Sequence, residues 1–255
     1  PRAVPSHERD RSSLESPLMS NPSRFSVNNT SVRRVSLDGK PFIEKTIRCN
    51  VRLPMTLHEL STCLAEYRGR LQDAGVNMPR LVDSRVERDC IVCLCEDGGP
   101  NLVELHDNPE GLVRSNRDAV ANAVDILRMA LDAGVSIDPH IKNFVGQAPE
   151  LQYVDFSPPL MDSYFEARLS VATGEEERSI LQRNFSYFTP EFLPFHFAGD
   201  FLNVYPRMDE FFPDLHAILT EKGFISGVDL SAFTAKAKGI RALEDLRLRK
   251  QIFMI

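Results

Sequence analysis

The sequence predicts an α+β protein in which a small antiparallel sheet with one main helix precedes a larger, mostly helical region. Three observations predict it. Phe25–Val35 is rich in β-branched residues and is joined through Asp38-Gly39 to a second strand-like run, Pro41–Ile47, which is the signature of a tight hairpin. Between Asn116 and Ala133 the apolar residues Val120, Val124, Leu127 and Leu131 recur at helical spacing. From about Asp162 to Ile255 the pattern stays helical, punctuated by Pro190, Pro194, Pro206 and Pro213.

Taken in order, residues 1–24 are rich in Ser, Pro and Arg without apolar periodicity and read as a disordered leader, in part vector-derived, with Met19 as native start. After the hairpin, Thr56 and Glu59 form a capping box, and Leu57, Leu60, Leu64 and Leu71 carry a helix to Gly75. Leu81-Val82 and Cys90–Cys95 follow as strands. The turn residues Glu96-Asp97-Gly98-Gly99-Pro100 then break the pattern, so the chain divides into a first lobe, 25–98, and a second, 99–255. The second begins with the 116–133 helix, which Gly134 ends. Val135–Val145 and Leu151–Phe156 read as two short strands around the turn Gln147-Ala148-Pro149-Glu150.

Composition narrows the function classes. A chain of 255 residues can bury a sizeable core, and a formal net charge of -6 argues against broad electrostatic binding of nucleic acid. No apolar run is long enough to span a bilayer and no secretory signal pattern is present, which predicts a cytoplasmic protein. The five cysteines are an odd number crowded into the first part of the chain. They read as reduced thiols, and Cys90, Cys93 and Cys95 as small hydrophobes of a buried strand rather than zinc ligands, because no second ligand pair follows.

The chemistry is concentrated in Asp138-Pro139-His140-Ile141-Lys142-Asn143 and, after a turn, Tyr153-Val154-Asp155-Phe156-Ser157. A carboxylate to receive a hydroxyl proton and oxygen ligands to hold magnesium against phosphates are the groups that phosphoryl transfer requires. This layout resembles the catalytic loop and metal-binding motif of the protein-kinase-like superfamily, closest in style to the aminoglycoside phosphotransferase and choline kinase families, whose loop runs Asp-x-His-x-x-Asn. The resemblance covers roughly residues 25–165 and implies a two-lobed kinase-like fold. It implies Asp138 as catalytic base, Asn143 and Asp155 as Mg2+ ligands, and ATP as phosphate donor. It further implies a strand lysine, Lys45, orienting the phosphates through a glutamate of the following helix. Of Glu59 and Glu66, Glu66 is preferred, since the cap explains Glu59. The segment Cys90–Leu102 resembles the strand and hinge that receive adenine, with the backbone of Cys95 to Asp97 offering hydrogen bonds.

The chain departs from the family pattern at several points. The turn around Val27-Asn28-Asn29-Thr30-Ser31 holds no glycine, Ser136-Ile137 replaces the usual histidine lead-in, and Ser157 stands where Asp-Phe-Gly has glycine. Two readings follow: a phosphotransferase acting on the hydroxyl of a small molecule, such as an antibiotic, natural product or metabolite, or a pseudokinase scaffold working through protein interaction. The small-molecule acceptor is favoured over a protein because Pro158-Pro159 leaves little room for an activation segment. Transfer of another part of ATP, such as AMP, stays open. His140 takes a structural place in the resembling families and Lys142 is either near the transferred phosphate or solvated. The stretch Phe185–Phe201, with His196 and Asp200, reads as core packing in preference to a pocket lining. The basic run Lys236–Lys250 reads as a solvated helix face.

Overall fold

The computed structural model describes residues 30–48, 54–105, 109–205 and 210–250. The leader expectation, residues 25–29 of the first strand, Cys49 and Pro206 lie outside the described residues.

Strands β1, Thr30–Leu37, and β2, Lys40–Arg48, form the hairpin that Asp38-Gly39 demands. Both turn residues have positive φ, 51° at Asp38 and 76° at Gly39, the backbone hand that matches the twist of paired strands. With β3, Leu81–Val86, and β4, Cys90–Glu96, they make an antiparallel sheet in the order β1-β2-β4-β3. As an inner strand, β4 buries Cys90 to Cys93 in succession, and Cys93 Sγ lies 3.6 Å from Ser84 Oγ. Burial, the largest influence, pushes the Cys93 and Cys95 thiols up, so these two act as the small hydrophobes expected.

Helix α1, Leu57–Asp73, starts from a complete capping box: Thr56 Oγ1 accepts the Glu59 N–H at 3.2 Å and the Glu59 carboxylate accepts the Thr56 N–H at 2.6 Å. Its buried face is Leu60, Leu64, Tyr67, Arg68 and Leu71, which joins Ile47, Ile91 and Cys93 in one core.

Beyond β4, α2 (Pro109–Ser115) and α3 (Arg117–Asp132) open the helical part. Helix α3 buries Val120, Val124 and Leu127 as the spacing requires. The expected strand over 135–145 is not formed as such. Val135 donates its N–H to Ala130, Asp138 donates to the Tyr153 hydroxyl, and Pro139 has no N–H to give, so no ladder can build. A 3-10 turn, Ile141–Asn143, follows instead, and only β5 (Phe144–Val145) pairs with β6 (Gln152–Tyr153).

The remainder is helical: α4 (Asp162–Ser170), α5 (Glu175–Ser186), α6 (Leu193–Val204), α7 (Phe212–Glu221) and α8 (Leu230–Arg249). Pro194 and Pro213 stand in the first turns of α6 and α7, where a missing N–H costs nothing. The aromatic stretch is core: Phe185, Phe188, Phe195, Phe197 and Phe201 are all buried, and beyond it the Phe211 ring stacks on that of Phe201, 5.3 Å apart. Helices α6 and α8 approach closely because position 199 is glycine; a Cβ there would stand 2.9 Å from the Ala237 carbonyl oxygen. Among the described residues no helix is long and apolar enough to cross a membrane. The architecture is therefore α+β, a four-stranded antiparallel sheet followed by a mostly helical remainder.

Candidate functional site

The folded chain joins residues from distant segments around one carboxylate. Lys45 on β2 and Asp155, just past β6, form an ion pair, and both side chains are largely shielded from solvent. Asp155 Oδ1 also accepts the Ser157 N–H at 3.2 Å, and Asn143 Nδ2 approaches its Oδ2 at 3.5 Å. Asn143 is placed by the 3-10 turn, and its carbonyl accepts the Val154 N–H at 2.9 Å, which keeps the loop and the Asp155 segment side by side. The Lys45 ammonium sits 4.8 Å above the Phe156 ring, so one face of the pair is apolar.

Asp138 is held from two sides. Its N–H donates to the Tyr153 hydroxyl at 3.1 Å, and its carboxylate accepts both the His140 N–H, at 3.1 Å, and the His140 ring Nδ1–H. Tyr67 of α1 donates to the Ser136 carbonyl at 2.8 Å, tying the helix to the loop two residues before Asp138. Burial, reinforced by the negative charges of Asp155 and Asp138, pushes the Tyr67 hydroxyl well above its ordinary range, so it stays a donor.

The glutamate expectation requires correction. Glu66 does not meet Lys45; it is half exposed and pairs with Arg70 one turn along α1 at 2.6 Å. The inward face of α1 is fixed by Leu60, Leu64, Tyr67, Arg68 and Leu71, and Glu66 falls outside it. The buried charge of α1 is Arg68, which donates to the Pro79 carbonyl and lies 5.5 Å from the Phe156 ring centre. No carboxylate of α1 therefore reaches the strand lysine.

Two positions along β4 from Cys93, the register partner of Lys45, Cys95 is paired with Ile43 of β2 and Leu81 of β3, and the Glu96 N–H is donated to the Arg80 carbonyl. The Asp97 carboxylate caps the turn by accepting the Gly99 N–H at 2.9 Å and pairs with Arg34 at 2.6 Å. Lys142 is exposed. An open recess of about 520 Å³ lined by Arg114, Asn116, Arg117 and Gln147 shares no residue with the Lys45–Asp155–Asp138 group.

Neither a protein-family model nor a curated protein matches the chain. The reading of the site accordingly stands on its geometry.

That geometry contains a part which the sequence reading did not assemble. Behind Asp138, the second ring nitrogen of His140 lies 3.7 Å from Asp200 Oδ1 on α6 and 3.7 Å from Glu244 Oε1 on α8. Asp200 Oδ2 accepts the Ile141 N–H at 2.6 Å, fixing the loop backbone. Glu244 accepts from His196 Nε2 at 2.7 Å and from Asn203 Nδ2 at 3.2 Å. Burial opposes charge throughout this cluster, yet the carboxylates of Asp138, Asp200 and Glu244 outweigh it at His140 and raise that imidazole to about 10. The Glu244 carboxyl meets the same burial penalty, overcome by His196, His140 and Asn203, and is lowered to about 2. For Asp138 burial is likewise opposed and exceeded, chiefly by His140, and the carboxyl falls below the usual carboxylate range. His140, His196 and Glu244 also bring potential metal-ligating atoms within 4.8 Å of one another, but here the imidazolium of His140 already answers the carboxylates.

Two signals in the sequence pointed toward this cluster. His196 and Asp200 interrupt an otherwise apolar helix, Leu193–Leu202, where an unpaired polar group would be costly. Glu244 also interrupts an apolar stripe, Phe233, Ala237 and Ile240 of α8, a phase that the basic residues around it mask.

Proposed function

We propose that the chain is an ATP- and Mg2+-dependent O-phosphotransferase, two-lobed and kinase-like, acting on a hydroxyl of a small molecule. The observation that carries this reading is the convergence of Lys45, Asn143 and Asp155 in one contacting group, with the Asp138 N–H held by the hydroxyl of Tyr153, two residues before Asp155. The pair between Lys45 and Asp155 spans 110 positions of sequence, which local structure alone does not bring about.

The donor set suits magnesium, since Asn143 and Asp155 offer the hard oxygen ligands that this ion prefers. Bound there, Mg2+ would supply positive charge to the phosphates. Lys45, once its ammonium turns from Asp155 to phosphate oxygens, orients the donor without help from Glu66. The family resemblance directs the base of the nucleotide to the end of β4, Cys95 to Asp97, where the Glu96 N–H is already given to the Arg80 carbonyl.

Asp138 faces the acceptor. As the acceptor oxygen forms its bond to the γ-phosphorus, the bond to the bridging oxygen of ADP breaks, and the hydroxyl proton leaves toward Asp138. A carboxylate whose basicity is reduced by His140 stores a proton poorly at neutral pH. Its main work is therefore to hold the hydroxyl in line, which suits a loose transition state where little proton transfer precedes bond formation.

Glu66 and its pairing with Arg70 favour a second reading, a pseudokinase scaffold, because the lysine then lacks its usual orienting carboxylate. The variant Asp138→Asn separates the two. The phosphotransferase reading predicts unchanged binding of ATP with Mg2+ and a fall in turnover of about 100-fold or more, the scale of a misplaced reacting group. Turnover equal to that of the unmodified chain contradicts it.

A further inference from the structure

We propose that Glu244 of α8 is a positioning residue for Asp138, acting through His140; this rests on the phosphotransferase reading above. Glu244 touches neither donor nor acceptor in this scheme. It fixes the imidazole that fixes the catalytic carboxylate.

The chain of contacts is continuous. Glu244 is ionised and can only accept, so His196 Nε2 and Asn203 Nδ2 donate to it at 2.7 and 3.2 Å. Asn203 also donates to Asp200 Oδ1 at 2.7 Å, which couples the two acidic side chains that flank His140. The distant nitrogen of His140 stands 3.7 Å from each of these carboxylates, while its Nδ1–H is held by Asp138. An imidazole hydrogen-bonded at Nδ1 and facing two carboxylates at ion-pair distance from its other nitrogen is held in orientation by charge, and the carboxylate it holds is aimed by the same constraint. Asp200 has a second duty, the Ile141 N–H, so its loss would disturb the loop backbone itself. Among the described residues no hydrogen bond joins Glu244 to that backbone. It is the member of the cluster whose removal changes the electrostatic grip on His140 while sparing the loop.

The position of Glu244 is set by helix packing. Gly199 allows α8 to lie against α6 at a distance that no other residue permits, and the buried positions Phe233, Ala237, Ile240 and Leu243 hold α8 in register. The last helix of the described chain thereby completes the support of a loop that precedes it by nearly the length of the helical region.

The test uses the full chain with Mg2+ and ATP, water serving as the acceptor, and follows ADP release in the unmodified protein, Glu244→Gln and Asp138→Asn. Expected for Glu244→Gln is a fall in kcat of about 10-fold or more with the KM for ATP unchanged, a loss smaller than removal of the base itself. Should Glu244→Gln not fold, Glu244→Asp carries the same comparison, since it keeps the charge but withdraws it by one methylene. Wild-type kcat in the folded variant overturns the proposal, as does a parallel loss of kcat and ATP binding, which marks a purely structural role. Turnover by the unmodified chain no greater than that of Asp138→Asn instead overturns the phosphotransferase reading, and this proposal with it.

Discussion

Glu66 shows how a residue of the right type in the right helix can be assigned to the wrong partner. Sequence order placed a carboxylate between the strand lysine and the Asp138 loop, but helical phase decides which way a side chain faces. Glu66 sits on the solvent side of α1 with Arg70, and exposed pairs of this kind are worth about 0.5 kcal/mol or less. Glu66→Ala should therefore leave the affinity for ATP with Mg2+ unchanged and lower stability by no more than that amount, as read from urea denaturation beside nucleotide titration. A large loss of affinity would mean that Glu66 turns inward during function. Lys45, by contrast, shares a shielded ion pair with Asp155, where removing one partner strands the other charge.

Among the elements, those with local signals were legible. The Asp38-Gly39 hairpin, the Thr56–Glu59 box, the Cys90–Cys95 strand and the 116–133 helix each carry their own turn, cap or periodicity, and each is where the pattern put it. The misread segment was Val135–Val145. Its apolar residues Ile137, Ile141 and Phe144 are buried as in a strand, but a loop packed beneath helices buries the same residues, and hydrophobicity alone does not separate the two. The α6–α8 contact had no sequence signal beyond the glycine itself. Gly199→Ala should destabilise the protein by about 1–3 kcal/mol through overpacking against the Ala237 carbonyl, measured as a shift in the urea midpoint. Unaltered stability would show that α8 can move away without loss.

At the scale of the whole molecule, what could be read was a spaced motif of polar residues and what could not was its support. Asp138, Asn143 and Asp155 lie close together in sequence, in a motif whose spacing is itself information. Lys45 joins them from a distance and is paired with one of them. His140, His196, Asp200 and Glu244 are drawn together by the tertiary fold alone, from the loop, α6 and α8. No periodicity encodes such a meeting, because each residue satisfies its own helix or loop independently of the others. The first region supplies the lysine, the loop region supplies the acids, and the helical remainder supplies the cluster that holds the loop still.

The central claim is that Lys45, Asn143 and Asp155 form a magnesium and nucleotide site. Calorimetric titration of the full chain with ATP, with and without Mg2+, compared with Asp155→Ala, tests it most directly. The account predicts binding that depends on Mg2+ in the unmodified chain and is lost in Asp155→Ala while the variant stays folded. Failure of the folded, unmodified chain to bind ATP with Mg2+, or equal binding by Asp155→Ala, would contradict it.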